Sequence, residues 1–463
     1  MHRYLKYQNK IIEFLALSLV VIIAFSIYMI KQFKTPLLYG IDGPYYYVQV
    51  LSLIKRGSLK YVDPPLAFYI LYVFSVTLND ITLGIKVGSV LVTLLATYAI
   101  HYFVRDVSGS IIGGILTALL FVFHPFLARL CFELIKNAMG LTFLAMTILF
   151  SYRSCKKADN KIYPILTSTS ILLTGLTHVL DFAVAYGIVM LLFMINLRNK
   201  NVQRKLLLPF IVGSALLLLG FIYEPIMGGD PYKGISYLSS LIHGGTAKVP
   251  SGNRPITMIH QRKVITHLIY MTSLPLTIGL AGMFFSITAL NNIERNFIFA
   301  LSFALTMLSL PIGTPQFIMR FNLMSAILIP PILGSMIGTI KDRNLKIVMG
   351  AIILAFIIPQ FASQMNNIRP SIPLEEYYEI AYLVSKTPKH VTFIVPDVRL
   401  RYWIETFDVN VVCSPMDGGV PPYILIFEKN PFRRVPIPPG SELVFNGKYI
   451  QAYILRVRFI RGK

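Results

Sequence analysis

Long apolar runs separated by short polar stretches fill the chain as far as Ser363, where the pattern changes to short alternating segments. Apolar runs lie at 11–30, 82–104, 109–124, 137–151, 162–177, 179–197, 206–223, 264–287, 296–312, 321–340 and 347–363. They predict about eleven transmembrane helices, each near the length that crosses a hydrocarbon core of about 30 Å. The segment PPLAFYILYVFSVTL (64–78) is also apolar but short, opens with two prolines and stops at Asn79–Asp80. It reads as a re-entrant or interfacial helix in the first outer loop.

Loop charge orients this set. Arg3, Lys6 and Lys10 precede the first run, which lacks a small-residue cleavage site and so reads as a retained signal anchor with its N-terminus inside. Leaving 64–78 unspanned puts the basic clusters at 152–161, 198–206 and 341–346 on the cytoplasmic side, as the positive-inside rule prefers. Twelve spans with the N-terminus outside is the alternative, and it strands the first three cations on the wrong side. The outer face then collects 31–81, HPFLARLCFELIK (124–136), Thr177–His178, a long Gly-rich loop 224–263, GTPQFIMR (313–320) and everything beyond 363.

Beyond Ser363 the periods become those of an α/β domain. LEEYYEIAYLVSK (374–386) has helical spacing with Glu375 and Glu376 in its first turn. Strands are predicted at 391–396, 409–413, 423–427, 442–445 and 449–457, with Asn446–Gly447 as a hairpin turn. The expected fold class is therefore an all-α polytopic membrane domain, 1–363, followed by a small C-terminal α/β outer domain, 364–463. The outer stretch holds no phosphate loop and no nucleophile elbow, so it is expected to cap or recruit.

Composition narrows the partners. With 55% hydrophobic and 14% charged residues and a mean hydropathy of +0.64, a soluble protein is excluded. The net charge of +22 is spread in short clusters between apolar runs, which fits membrane lipids and not nucleic acid. Three cysteines, Cys131, Cys155 and Cys413, have neither metal-ligand spacing nor an even count.

Candidate chemistry gathers on the outer side. Asp42, in GIDGPYYYVQ, either caps a helix over 43–56 or acts as a partly desolvated base. Tyr45, Tyr46 and Tyr47 offer rings for an interfacial belt or a sugar platform. Glu133 has Arg129 four residues before it and Lys136 three after, a spacing that makes ion pairs on a helix. His178 stands alone at a membrane boundary, as a structural residue or as an acid, base or ligand. Arg320 precedes an apolar span, where it snorkels or meets an anion such as phosphate.

In order, these features comprise a first span, an acidic residue in the first outer loop, Asp63 directly before Pro64–Pro65–Leu66, and a third acidic residue outside after two further spans. The order resembles the GT-C superfamily of membrane glycosyltransferases, which includes protein O-mannosyltransferases, the lipid A aminoarabinose transferase and oligosaccharyltransferases. The resemblance implies transfer of a sugar from a polyprenyl-phosphate donor to a lipid, glycan or protein acceptor on the outer face of the cell membrane, with inversion. It casts Asp42 and Glu133 as catalytic and Asp63 and Arg320 as substrate-binding, and Tyr46, His178 and Arg129 join them as substrate-binding candidates from their own chemistry and position. No cofactor is certain. Asp42 and Glu133 could hold a divalent ion such as Mg or Mn, though two carboxylates without a histidine indicate this only weakly.

Three departures stand out. Asp42 is followed by glycine where a second acid is common, no basic residue flanks the PPL motif, and the only tryptophan is Trp403, so the tryptophan-rich sequon motif is missing. A lipid-linked sugar flippase or a membrane scaffold are the competing readings. A flippase should show internal repeats and midplane charges, and no such repeat is evident.

Overall fold

The computed structural model describes residues 2–157, 160–222, 258–312, 315–413, 422–429 and 437–455. Most of the predicted outer loop 224–263 lies outside them. The helices are α1 (His2–Gln32), α2 (Gly43–Arg56), α3 (Leu66–Thr77), α4 (Ile81–Leu94), α5 (Ala96–Ser108), α6 (Ile111–Val122), α7 (Pro125–Glu133), α8 (Ile135–Lys156), α9 (Ile162–Thr177), α10 (Val179–Ile195) and α11 (Lys200–Ile222). After the undescribed stretch come α12 (Met258–Ala289), α13 (Asn292–Ser309), α14 (Pro315–Leu323), α15 (Ser325–Gly338) and α16 (Arg343–Asn367). The C-terminal stretch follows with α17 (Leu374–Lys386), β1 (Thr392–Ile394), α18 (Val398–Glu405), β2 (Asn410–Val412), β3 (Tyr423–Glu428), β4 (Glu442–Asn446) and β5 (Ile450–Leu455).

Among the described residues six helices are long and apolar enough to cross a membrane, and up to eight if each of two bent pairs counts as one span. The sequence predicts about eleven. The difference lies in breaks and short lengths. α6 and α7 bend by 50° and α14 and α15 by 40°, while α9 and α10 have 16 and 17 residues, or roughly 24–26 Å of rise. α3, in the segment expected not to span, has 12 residues.

Contacts divide the chain into two compact units: 1–31, 61–67 and 87–367 form one, and 32–60, 68–86 and 368–463 the other. In the first, small residues let helices approach closely. A Cβ on Gly334 of α15 would fall 1.7 Å from Thr117 Oγ1 of α6, the small-residue packing of helices that cannot rely on a hydrophobic drive in lipid.

The second unit contains a five-stranded sheet, order β2-β1-β3-β5-β4. β1 pairs in parallel with β2 and β3, and β5 runs antiparallel to β3 and β4. The central β3, an apolar run, is buried at five successive positions, as a strand covered on both faces requires. The turn after Asn446 falls where the sequence placed it, and the Glu379 carboxylate of α17 fastens it by accepting from the amides of Lys448, Tyr449 and Ile450 at 2.6, 3.0 and 3.1 Å. α18 was not foreseen; Asp397 caps it, accepting from the amides of Arg399 and Leu400 at 2.8 and 3.3 Å. The same unit ties the first-loop residues to the C-terminal ones, since the Gly40 amide donates to the Arg369 carbonyl at 3.1 Å and Lys55 pairs with Asp408 at 2.7 Å.

Candidate functional site

In the second unit, Asp42 stands at the N-cap position of α2, half-buried, with helical backbone angles (φ −83, ψ −11) and no cap hydrogen bond from its side chain. An N-cap side chain normally reaches a first-turn amide from extended backbone. The expected capping role is therefore not filled, and Pro44 in the first turn needs no donor partner. Tyr46 is 2% exposed, with its ring centroid 5.7 Å from Tyr45 and 6.0 Å from Phe68. Tyr45 is half-buried, its hydroxyl accepts from Gln49 Nε2 at 3.0 Å, and its ring lies 5.3 Å from Tyr402 of α18. Burial pushes the Tyr402 phenol above its ordinary value; Arg401 opposes this, and the Glu405 and Asp42 carboxylates add to it. Tyr402 is thus a neighbour of Asp42 that sequence reasoning missed, because some 360 residues of chain separate the two positions.

In the first unit, Arg129 Nε donates to Glu133 Oε2 at 2.7 Å, the expected i,i+4 pair. Among the ion pairs of the described residues Lys136 joins Asp63 and not Glu133, the partner its spacing suggested. Leu134 leaves the helical region (φ −124, ψ 58) and separates α7 from α8, so the i,i+3 geometry is lost and Lys136 instead pairs with Asp63. That ion pair places a cation against the acidic residue before PPL, although no basic residue adjoins the motif in sequence. Arg129 Nη1 also reaches Met319 Sδ at 3.4 Å, which sets α14 against α7. Arg320, the next residue, is exposed.

His178 joins α9 to α10 with its Nδ1 3.2 Å from Asp181 Oδ2. The spacing of His178 and Asp181 was visible in the sequence, but the apolar context concealed the acid. The first unit therefore holds Asp63, Arg129, Glu133, His178 and Arg320, and the second holds Asp42 and Tyr46. Among the described residues no group of three or more His, Cys, Asp or Glu side chains is placed to hold a metal ion.

Residues 62–223 match the family described as dolichyl-phosphate-mannose-protein mannosyltransferase. A search of curated protein sequences gave no match. Among solved structures, the Archaeoglobus fulgidus oligosaccharyltransferase, crystallised with Zn and sulfate, is similar with a TM-score of 0.62 at 14% identity, over 85% of this chain and 62% of its own. The chain thus spans under two thirds of that enzyme. ArnT from Cupriavidus metallidurans is similar in its apo state with a TM-score of 0.56 at 11% identity, over 94% of this chain and 97% of its own. Bound to undecaprenyl phosphate, the same protein gives 0.50 at 12% identity over the same shares. At 11–14% identity these likenesses show the fold. The fold is that of the GT-C membrane glycosyltransferases, and residues 62–223 match their protein mannosyltransferase family.

Proposed function

We propose that the protein transfers a sugar from a polyprenyl-phosphate carrier to an acceptor hydroxyl on the outer face of the membrane, with Asp42 as general base. The observation that carries this reading is the Asp42 carboxylate, which sits half-buried at a helix start near Tyr402 and makes no cap hydrogen bond to that helix. Undecaprenyl phosphate in ArnT supports the choice of carrier.

In the proposed step Asp42 takes the acceptor proton as the acceptor oxygen bonds to the anomeric carbon. The bond from that carbon to the phosphate oxygen breaks, and the phosphate leaves with the electron pair. Attack from the face opposite the phosphate inverts the centre. A fixed cation on the developing phosphate charge is the usual large electrostatic contribution to such a displacement, and the Arg320 guanidinium has the planar donors for it. Glu133, held by Arg129, and Asp63, held by Lys136, orient the sugar. The N-terminus lies in the cytoplasm and the unit carrying the sheet lies outside. A divalent ion at Asp42 or Glu133 stays secondary, since nothing in the proposed step requires it.

Replacing Asp42 with Asn tests the base. The amide is nearly isosteric and cannot accept the proton, and no cap hydrogen bond is lost, so transfer should fall by about 10²–10⁴ in a variant that still folds, as a cooperative unfolding transition would show. An Asn variant with the parent's turnover would remove Asp42 from the chemistry.

A further inference from the structure

α8 and α10 begin at the same end of the first unit, because α9 runs back between them. One turn into α10, Asp181 is fully buried, and the one polar group near its carboxylate among the described contacts is His178, whose Nδ1 lies 3.2 Å from Oδ2 in a geometry short of a well-aligned hydrogen bond. Gly140 of α8 provides the space, since a Cβ there would fall 2.0 Å from Asp181 Oδ2. Asn137, one turn earlier on the same face of α8, is also buried, with an Oδ1 that no donor reaches. Both lie within a turn of Lys136, which holds Asp63.

A carboxylate buried without donors is costly unless an opposite charge adjoins it. The imidazole of His178 is placed to supply that charge, with Nδ1 at 3.2 Å from Asp181 Oδ2 and a side chain 25% exposed where that of Asp181 is 0% exposed. His178 has extended backbone (φ −158, ψ 131), and its side chain makes no cap hydrogen bond to α10. With Nδ1 turned to the buried carboxylate, Nε2 is the nitrogen left to face away from it. The first amides of α10 lie beside the same residue and favour an anion.

We infer that His178, oriented by Asp181 through Nδ1, directs Nε2 to the phosphate of the lipid-linked donor and hydrogen-bonds to it. His178 touches the ligand, and Asp181 is a positioning residue that acts through it. The inference rests on the polyprenyl-phosphate reading and adds Asp181 and Gly140 to the residues that serve it.

The test is titration of the full chain in detergent with undecaprenyl phosphate, with unfolding midpoints recorded for every variant. His178→Gln and Asp181→Asn should each weaken binding about tenfold, the size of a lost hydrogen bond to a charged group. An arginine carries its charge without a partner, so the double variant Asp181→Asn/His178→Arg should return to within about threefold of the parent, a rescue that a purely structural Asp181 would not allow. Parent affinity in Asp181→Asn, or a folded double variant as weak as the single ones, overturns the inference. If Asp181→Asn does not fold, His178→Gln decides, and undiminished binding there overturns it as well. A parent chain that binds no undecaprenyl phosphate overturns the donor reading itself.

Discussion

The two ends of α8 carry opposite kinds of charge arrangement. At its C-terminal end, charges form one shared network. Glu13 of α1, 6% exposed, accepts from Arg105 Nη1 at 2.9 and 3.1 Å and lies 2.7 Å from His101 Nε2. Asp106 binds Arg105 and Arg153 at 2.9 Å each, and Glu294 holds Lys156 and accepts from the Tyr152 hydroxyl at 3.1 Å. Glu13 has two partners on α5, Glu294 has two on α8, and Asp106 has Arg105 of its own helix and Arg153 of α8, so the contacts join α1, α5, α8 and α13. At the N-terminal end three separate ion pairs stand among the described residues: Asp63 with Lys136, Arg129 with Glu133, His178 with Asp181. A network whose oxygens are shared fixes helices to one another, whereas the pairs at the N-terminal end include partly exposed members that a substrate can approach.

The contrast breaks most visibly at Glu13. Glu13→Ala leaves the buried His101 without its anion and Arg105 with Asp106 alone, so unfolding should become easier by about 3 kcal/mol, the low end for a broken buried pair because Arg105 keeps a partner and stays partly in water. Glu133→Gln removes one member of a pair whose side chains are 33% and 24% exposed, and should cost less than about 1 kcal/mol. Calorimetry or thermal scans in one detergent compare the two, and equal losses would erase the distinction between the ends.

A second effect concerns the donor. Arg320→Ala should weaken polyprenyl-phosphate binding by about tenfold, and Arg320→Lys by less, since lysine keeps the charge without the planar fork. Equal affinity in the parent and the Ala variant would leave Arg320 a snorkelling residue.

The smallest effect lies in the second unit. Burial, and then the neighbouring Glu428 carboxylate, push the Glu376 carboxyl up to about 7, with Arg399 opposing. A carboxyl raised above its unfolded value of about 4.3 binds more protons folded than unfolded. Its contribution is fully present below that unfolded value and is lost as pH rises through about 7. Stability should therefore decline modestly between pH 5 and 7 in the parent and stay flatter in Glu376→Gln. A parent profile that rises over that range would contradict the assignment.

Much of this was legible in the sequence, for identifiable reasons. Apolar runs set the helices, because lipid leaves the backbone no other way to satisfy its polar groups, and α17 and the turn after Asn446 follow from local periodicity and turn chemistry. The i,i+4 pair of Arg129 and Glu133 was legible because it lies within one helix. Lys136 with Asp63, Tyr402 beside Tyr45 and Arg153 with Asp106 were not, since each joins residues far apart in the chain and only the packing of helices chooses among many cations. The break at Leu134 was also hidden: nothing in LCFELIK marks where α7 ends.

The central claim is that this chain moves a sugar off a lipid phosphate. The most direct measurement follows radiolabel from a panel of polyprenyl-phosphate sugars on incubation with the purified protein, beside the Asp42→Asn variant. The account predicts that at least one donor loses its label to an acceptor in the parent and not in the variant. Label that stays on every carrier, or that leaves equally fast with both proteins, would contradict it.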